Sequence, residues 1–504
     1  MKTADMLRDA LLALRADMLH AEREHQALLQ SVHPQQHVSA RNLLHYLSLR
    51  CHDLRDLQDD LHNAGLSSLA SCESHALHQV EAVLKHLGQH FSEGAFCDYP
   101  TARRILQQRA TALFGPKVNP HIPHLMVTFD TDMAENYAQV KAFLLAGMNV
   151  ARINCAHDDP DTWLAMIRNV RKAMRATGRP CKIYADLAGP KIRTVLLAKG
   201  RKKGRLKVSE NERFLLADED AALAPDAKAI GCTLPGAVAA LRPGDRVLFD
   251  DGLYEAVVEK AEGSIASLRL VRASAAKPRL RAEKGINFPD TVLPVTSLTE
   301  FDRSVLPFIA QYADIVGFSF VQRAEDVAEL QTLLRQYTRR PLPIVLKMET
   351  FEAVQNLPSL LFQGMHEATF GVMIARGDLA VEIGFERMSE IQEEILWLCE
   401  AAHAPVVWAT QVLETQAKSG VATRSEVTDA ARAAHAECVM LNKGRYMLAV
   451  LDSLRDILHR SGGHHLKKRY IFRPLSIAEG FFKRTSTSPN TRPAGRRKAK
   501  SREK

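Results

Sequence analysis

Lys347 and Glu349 close the short apolar run PIVLKME (343–349). If that run is a strand, a spacing of two puts both side chains on one face. Other apolar runs end in charge in the same way. MNVARINC (148–155) carries Arg152 and Asn154, with His157 just beyond. KIYADL (182–187) carries Asp186 and is followed by Gly189-Pro190-Lys191-Ile192-Arg193. ATFGVMIA (368–375) leads into Arg376-Gly377-Asp378, and PVVWAT (405–410) ends in Thr410. Arg152, Lys347 and Arg376 with Glu349, Asp378 and Asp186 form a set suited to a divalent metal and a phosphorylated anion. Magnesium uses few protein carboxylates and completes its shell with water and substrate oxygens. Phosphoryl transfer needs positive charge arranged around the moving group. One such charge alone is more simply half of a structural ion pair. Six of them at run ends, where a packed interior penalises unpaired charge, point to a site.

A site of this kind needs elements that bring the run ends together. Three further runs, LMVTF (125–129), DIVGFSF (314–320) and CVMLNK (438–443), raise the count to eight, with helical stretches between. Runs buried on both faces suit parallel strands, which require crossover helices. The expected fold is therefore α/β, a closed (β/α)₈ barrel with function at the carboxyl ends of its strands, and a doubly wound open sheet is the fallback. The barrel is expected over 125–193 and 283–462. Between them, 194–282 carries turn signals (GRKKG, RPGD, DDG) and short alternating runs, as a small inserted β domain after the third strand does. Residues 1–124 read as helical: Leu43, Leu44, Leu47, Leu54, Leu57 and Leu61 recur at helical spacings. Thirteen of the twenty histidines lie there, including His75, His78, His86 and His90, and are expected on solvated helix surfaces rather than on a metal.

The chain has 504 residues, 46% hydrophobic and 25% charged, which excludes collagen-like and wholly disordered chains. No apolar stretch reaches the roughly 18–20 residues that cross a bilayer, and Asp5, Asp9 and Asp17 interrupt the start, so neither a membrane span nor a secretory signal is expected. The eight cysteines form no Cys-x-x-Cys pair and are expected as free thiols in a reducing, cytoplasmic setting. A net charge of +9 would suggest nucleic acid. However, residues 467–504 hold 13 Lys or Arg against 2 Asp or Glu, which leaves the rest of the chain slightly acidic. The basic tail (463–504) is expected to be solvated, and nucleic acid is not expected as a partner.

Seven segments, in order across 125–443, resemble the pyruvate kinase family: GMNVARINCAHDD (147–159), ADLAGPKIRT (185–194), GDRVLFDDGL (244–253), EKGINFPDTVLPVTSLTEFD (283–302), IVLKMET (344–350), IARGDLAVEIG (374–384) and WATQVLET (408–415). The resemblance implies transfer of a phosphoryl group from phosphoenolpyruvate to ADP, giving pyruvate and ATP as in glycolysis, in a homo-oligomer. It implies that Glu349 and Asp378 hold Mg²⁺ (or Mn²⁺), with Asp378 also at the substrate. Lys347 would stabilise the transferring phosphoryl group and the enolate. Arg152 would hold the phosphate, and the Gly377 backbone the substrate carboxylate. Thr410 would stand near the carbon that is protonated. Asn154, His157, Arg193 and Lys284 match positions around the nucleotide phosphates.

The sequence also departs from that family. In its K⁺ site Asn154 and Asp186 remain, but Ala156 and Leu187 replace Ser and Thr. Lys191 stands where K⁺-dependent members carry Glu, and its ammonium can replace the ion's charge, so K⁺ is not expected to be required. TFDTDMA (128–134) and NKGRY (442–446) differ from the family's loops, and both changes bear on the nucleotide. The family's C-terminal effector domain is expected to have no counterpart, and the helical front is expected to serve oligomer contacts or regulation. Two other functions compete: a different Mg²⁺-dependent phosphoenolpyruvate/pyruvate barrel reaction such as C–C lyase chemistry, and a non-catalytic regulatory or RNA-binding relative.

Overall fold

The computed structural model describes residues 3–91, 97–197, 205–224, 227–274, 279–291, 293 and 296–462, together with the two-residue strands His465–Leu466 and Arg469–Tyr470, which pair antiparallel. The basic tail otherwise lies outside the described residues.

Eight strands form the centre: β1 (His124–Thr128), β2 (Val150–Asn154), β3 (Lys182–Asp186), β4 (Ile315–Phe318), β5 (Ile344–Met348), β6 (Gly371–Ala375), β7 (Val406–Ala409) and β8 (Cys438–Leu441). Each is one of the eight apolar runs. All pair in parallel with their sequence neighbours, and β1 pairs β8, so the sheet closes into a barrel. Local signals set the crossovers. The helix Pro160–Thr177 starts with Asp159 accepting from Thr162 N (2.8 Å), with Pro160 next, and stops at Gly178 in the left-handed region (φ 68°).

Met126, Val150, Tyr184, Ile315, Val345, Met373, Val407 and Cys438 fill the barrel interior. The helix Tyr99–Phe114 completes that layer with Ala110, Leu113 and Phe114. Gly371 admits it, because a Cβ there would stand 2.7 Å from Leu113 Cδ2. His124 at the start of β1 is buried and bonds the Gly115 carbonyl (2.9 Å). The last helix of the front region thus belongs to the barrel's core, although the region was expected to end as a unit at 124.

The remaining front helices share one continuous core with the barrel's outer helices. Ala4–Glu24 buries Leu7, Leu11, Leu14 and Met18 in it. Asn42 Nδ2 donates to Ala401 O (2.8 Å), His33 N to Met365 O (2.9 Å), and Arg50 lies over the Trp397 ring (4.7 Å). Most of the histidines there are exposed or half-buried, among them His86 and His90. His45, His75 and His124 are not, which corrects the expectation of solvated histidines: each ring finds a protein partner, as His45 Nε2 does in Glu22 (2.9 Å).

Among the described residues the insert has a seven-stranded sheet running from Thr194–Val195 to Ile286–Asn287 around its own core of Phe214, Leu216, Val247, Phe249 and Leu268, and a two-stranded sheet of Arg205–Lys207 with Arg279–Arg281. The bridge between Arg193 and Gly285, with Thr194 N bonded to Lys284 O (2.7 Å), brings the two ends of the insert together. Its pairing runs to Asn287, past the boundary expected at 282, because Ile286 and Asn287 pair with Phe249 and Leu248.

Candidate active site

Four charged side chains meet at the carboxyl ends of β2, β3 and β5. Lys347 Nζ lies 3.3 Å from Asp186 Oδ1 and 3.1 Å from Glu349 Oε1. Arg152 Nε donates to Asp186 Oδ2 (2.8 Å), the oxygen to which Lys347 Nζ also donates (3.3 Å), and its Nη1 to Thr128 Oγ1 (3.0 Å). Asp186, Glu349 and Lys347 are only 1%, 3% and 6% exposed, so these charges stand where isolated ones would be heavily penalised. Each is held by another. Burial opposes ionisation of Asp186, but Lys347 and Arg152 outweigh it and keep its carboxyl below the usual range. Burial likewise opposes the Lys347 ammonium, and Asp186 and Glu349 hold its pKa above the ordinary value. Glu349 goes the other way: burial, helped by the negative charge of Asp378 and opposed by Lys347, raises its pKa.

Residues just past β4 also hold this group. Ser319 Oγ accepts from Lys347 Nζ (2.6 Å) and donates to Leu187 O (2.7 Å). Phe320 N donates to Glu349 Oε2 (2.7 Å) from a backbone at φ 54°. Nothing in the residue types marked Ser319, Phe320 or Thr128 beforehand. The visible trace is that the run DIVGFSF extends one turn past its strand.

Arg376, expected among the rim cations, turns away. It donates to Ala409 O (3.0 Å) and Thr410 O, pairs with Asp429, and lies over the Trp408 ring (4.5 Å). These contacts secure Thr410, a β-branched residue at φ 65°, a conformation that persists only when its surroundings enforce it. Thr410 Oγ1 then accepts from Gly377 N (2.7 Å), so the two expected substrate residues touch.

Asp378 sits at the start of the helix Arg376–Ile383, and Lys191 Nζ lies 2.7 Å from its Oδ1. Lys191 is therefore on Asp378 and not at Asn154 and Asp186, the residual K⁺ pair; Asp186 is taken by Arg152 and Lys347, and Asn154 Oδ1 accepts from Ala156 N (3.1 Å). Among the described residues no group of three or more His, Cys, Asp or Glu could hold a metal. The buried Glu349 and the half-buried Asp378, whose negative charge acts on it, fit an ion that binds through one or two carboxylates and takes the rest of its shell from substrate and water, as Mg²⁺ does.

Beside Arg152 a cavity of about 350 Å³ opens between the ends of β1, β2 and β8, lined among others by Phe129, Asn154, His157, Lys418 and Lys443. Burial, and then the cations Lys443 and Arg193, hold the His157 imidazole below its usual pKa. The other two expected nucleotide residues lie at the hinge of the insert: Arg193 Nη1 donates to Glu283 O (3.1 Å), and Lys284 pairs with Asp250 (2.8 Å). The insert reaches back to the barrel through Asn287 Nδ2, which donates to Glu382 Oε1 (2.9 Å).

Residues 112–447 match the model of the pyruvate kinase barrel domain. The chain is similar to pyruvate kinase of Geobacillus stearothermophilus, 32% identical over 338 residues, covering 65% of this chain and 55% of that protein. It is similar to pyruvate kinase of Methylorubrum extorquens, 36% identical over 301 residues and 59% of each chain. To pyruvate kinase PKLR of Rattus norvegicus it is 32% identical over 313 residues, covering 60% of this chain and 53% of that protein. The chain thus spans a little over half the length of these relatives.

Proposed function

The chain belongs to the pyruvate kinase family, and on that premise we propose that it transfers the phosphoryl group of phosphoenolpyruvate to ADP, releasing pyruvate and ATP. The observation that carries this reading is the Lys347 ammonium, buried between Asp186, Glu349 and Ser319 beside the Arg152 guanidinium.

In this reading Glu349 and Asp378 hold Mg²⁺, or Mn²⁺, which when bound neutralises charge on the phosphate and enolate oxygens. Arg152 binds the phosphate, its side chain already oriented by Asp186 and Thr128. Lys347 offers fixed positive charge to the phosphoryl group in flight and to the enolate it leaves, in a site where no dipole has to reorient. The Gly377 backbone and Thr410 receive the carboxylate end and the carbon that takes up a proton. The cavity at His157 and Asn154 takes the diphosphate, with Arg193 and Lys284 approaching from the insert. Lys191, although it lies on Asp378 and not at Asn154 and Asp186, brings a positive charge of its own to the site, so K⁺ is not required. The expected setting is the cytoplasm, and the expected assembly a homo-oligomer. Among the described residues no helix is long and apolar enough to cross a membrane.

A coupled pyruvate-release assay with ADP and other nucleoside diphosphates tests the reading, run beside Lys347→Met. Loss of the ammonium is expected to lower kcat about 10³-fold or more, several kcal/mol of barrier. No pyruvate from the unaltered chain with any diphosphate would leave the lyase and non-catalytic readings.

A further inference from the structure

We propose that Ser319 is the positioning residue for Lys347, an inference that rests on the phosphotransfer reading and adds to it a residue outside the expected site. Lys347 Nζ has three partners, and they are not equivalent. Asp186 and Glu349 are carboxylates at 3.3 and 3.1 Å, whereas the neutral Ser319 Oγ is nearest, at 2.6 Å. The serine's own proton is committed to Leu187 O at 2.7 Å, so its lone pairs face the ammonium.

A neutral acceptor in that place has a definite effect. A carboxylate that draws an ammonium close also cancels its charge. A hydroxyl fixes the direction of the ammonium and leaves the charge available to an incoming phosphoryl group. Ser319 is 2% exposed and tightly seated, since a Cβ at Gly189 would stand 2.9 Å from Ser319 Cβ and 2.7 Å from the Phe320 ring. Ser319 and Phe320 thereby act together: the hydroxyl of one holds the ammonium, and the N–H of the other holds the far oxygen of Glu349 at 2.7 Å. Without the hydroxyl, Lys347 moves onto its carboxylates and competes with metal for Glu349.

The test uses the full chain with Ser319→Ala, Ser319→Cys and Ser319→Thr. In the pyruvate-release assay, Ala and Cys are expected to lower kcat about 10- to 100-fold with the KM for phosphoenolpyruvate changed less than about twofold, and Thr, which keeps the hydroxyl, to recover most of the loss. Calorimetric titration with Mn²⁺ alone is expected to show affinity weakened several-fold in Ala and Cys and restored in Thr. Unaltered kcat and Mn²⁺ affinity in Ala and Cys would overturn the inference. So would equal losses in all three variants that track their melting temperatures, since that is the mark of a packing role. If the unaltered chain releases no pyruvate, the phosphotransfer reading falls, and the Mn²⁺ titrations still decide whether Ser319 holds Lys347 off Glu349.

Discussion

Lys191 Nζ lies 2.7 Å from Asp378 Oδ1, joining the loop that leads into the insert to the helix that follows β6. Any cation that uses Asp378 shares that oxygen with the ammonium or displaces it. Lys191→Met is therefore expected to bind Mn²⁺ several-fold more tightly in calorimetry without substrate. On the phosphotransfer reading the unaltered chain is expected to turn over equally in K⁺ and in a bulky organic cation, and a large K⁺ stimulation would overturn the role given to Lys191.

With Glu349 as a metal ligand, as proposed, it sets a pH dependence for metal binding. Burial raises its carboxyl above the ordinary carboxylate value of about 4.3, so it remains protonated to a higher pH than a surface glutamate. Only the ionised form binds metal, and Mn²⁺ affinity is expected to fall about tenfold per pH unit below the raised value. Asp186 has the opposite sign. Its pKa is held low in the folded chain, so its stabilisation is fully present above the ordinary carboxylate value and is lost as pH falls through the depressed one. Mn²⁺ titrations and thermal melts across acidic pH separate the two: metal affinity is expected to fail at a higher pH than the Asp186 contribution.

His157 reports on the cavity beside Arg152. Lys443 is one of the cations that hold its imidazole below the usual pKa. In Lys443→Met the His157 titration, followed by NMR, is expected to move up. If the cavity takes the diphosphate, the KM for ADP is expected to rise with kcat little changed.

Arg109 joins the front helices to the underside of the barrel. It is buried, donates to Ala402 O (3.2 Å), His403 O (3.1 Å) and Gln35 O (2.9 Å), and burial pushes its pKa down to about 10. Arg109→Met strands those carbonyls without their donor. The expected loss is roughly 1–3 kcal/mol of stability in denaturant unfolding, in the range for unsatisfied buried polar groups. Kinetics at low temperature are expected to be near those of the unaltered chain, since Arg109 is at the end of the barrel opposite the site.

The eight strands were legible in the chain because a strand buried on both faces must be apolar along its length, and its first interruption by charge marks its end. That rule located Arg152, Asp186, Lys347, Glu349 and Asp378. It could not say that Arg376, in the same kind of position, would turn onto Thr410 O and Asp429, because the direction of a side chain is set by acceptors on neighbouring strands. Ser319, Phe320 and Thr128 escaped notice for a related reason. A serine hydroxyl, a backbone N–H and a threonine are common everywhere, and only the parallel pairing of β1 with β2 and of β4 with β5 brings them close enough to hold an arginine, a lysine and a glutamate. Composition and periodicity thus determined the order of the elements and the charges at their ends. Which charges pair, how far each is buried, and the joining of the front helices to the barrel as one core arise from contacts between residues remote in sequence, which only the folded chain creates.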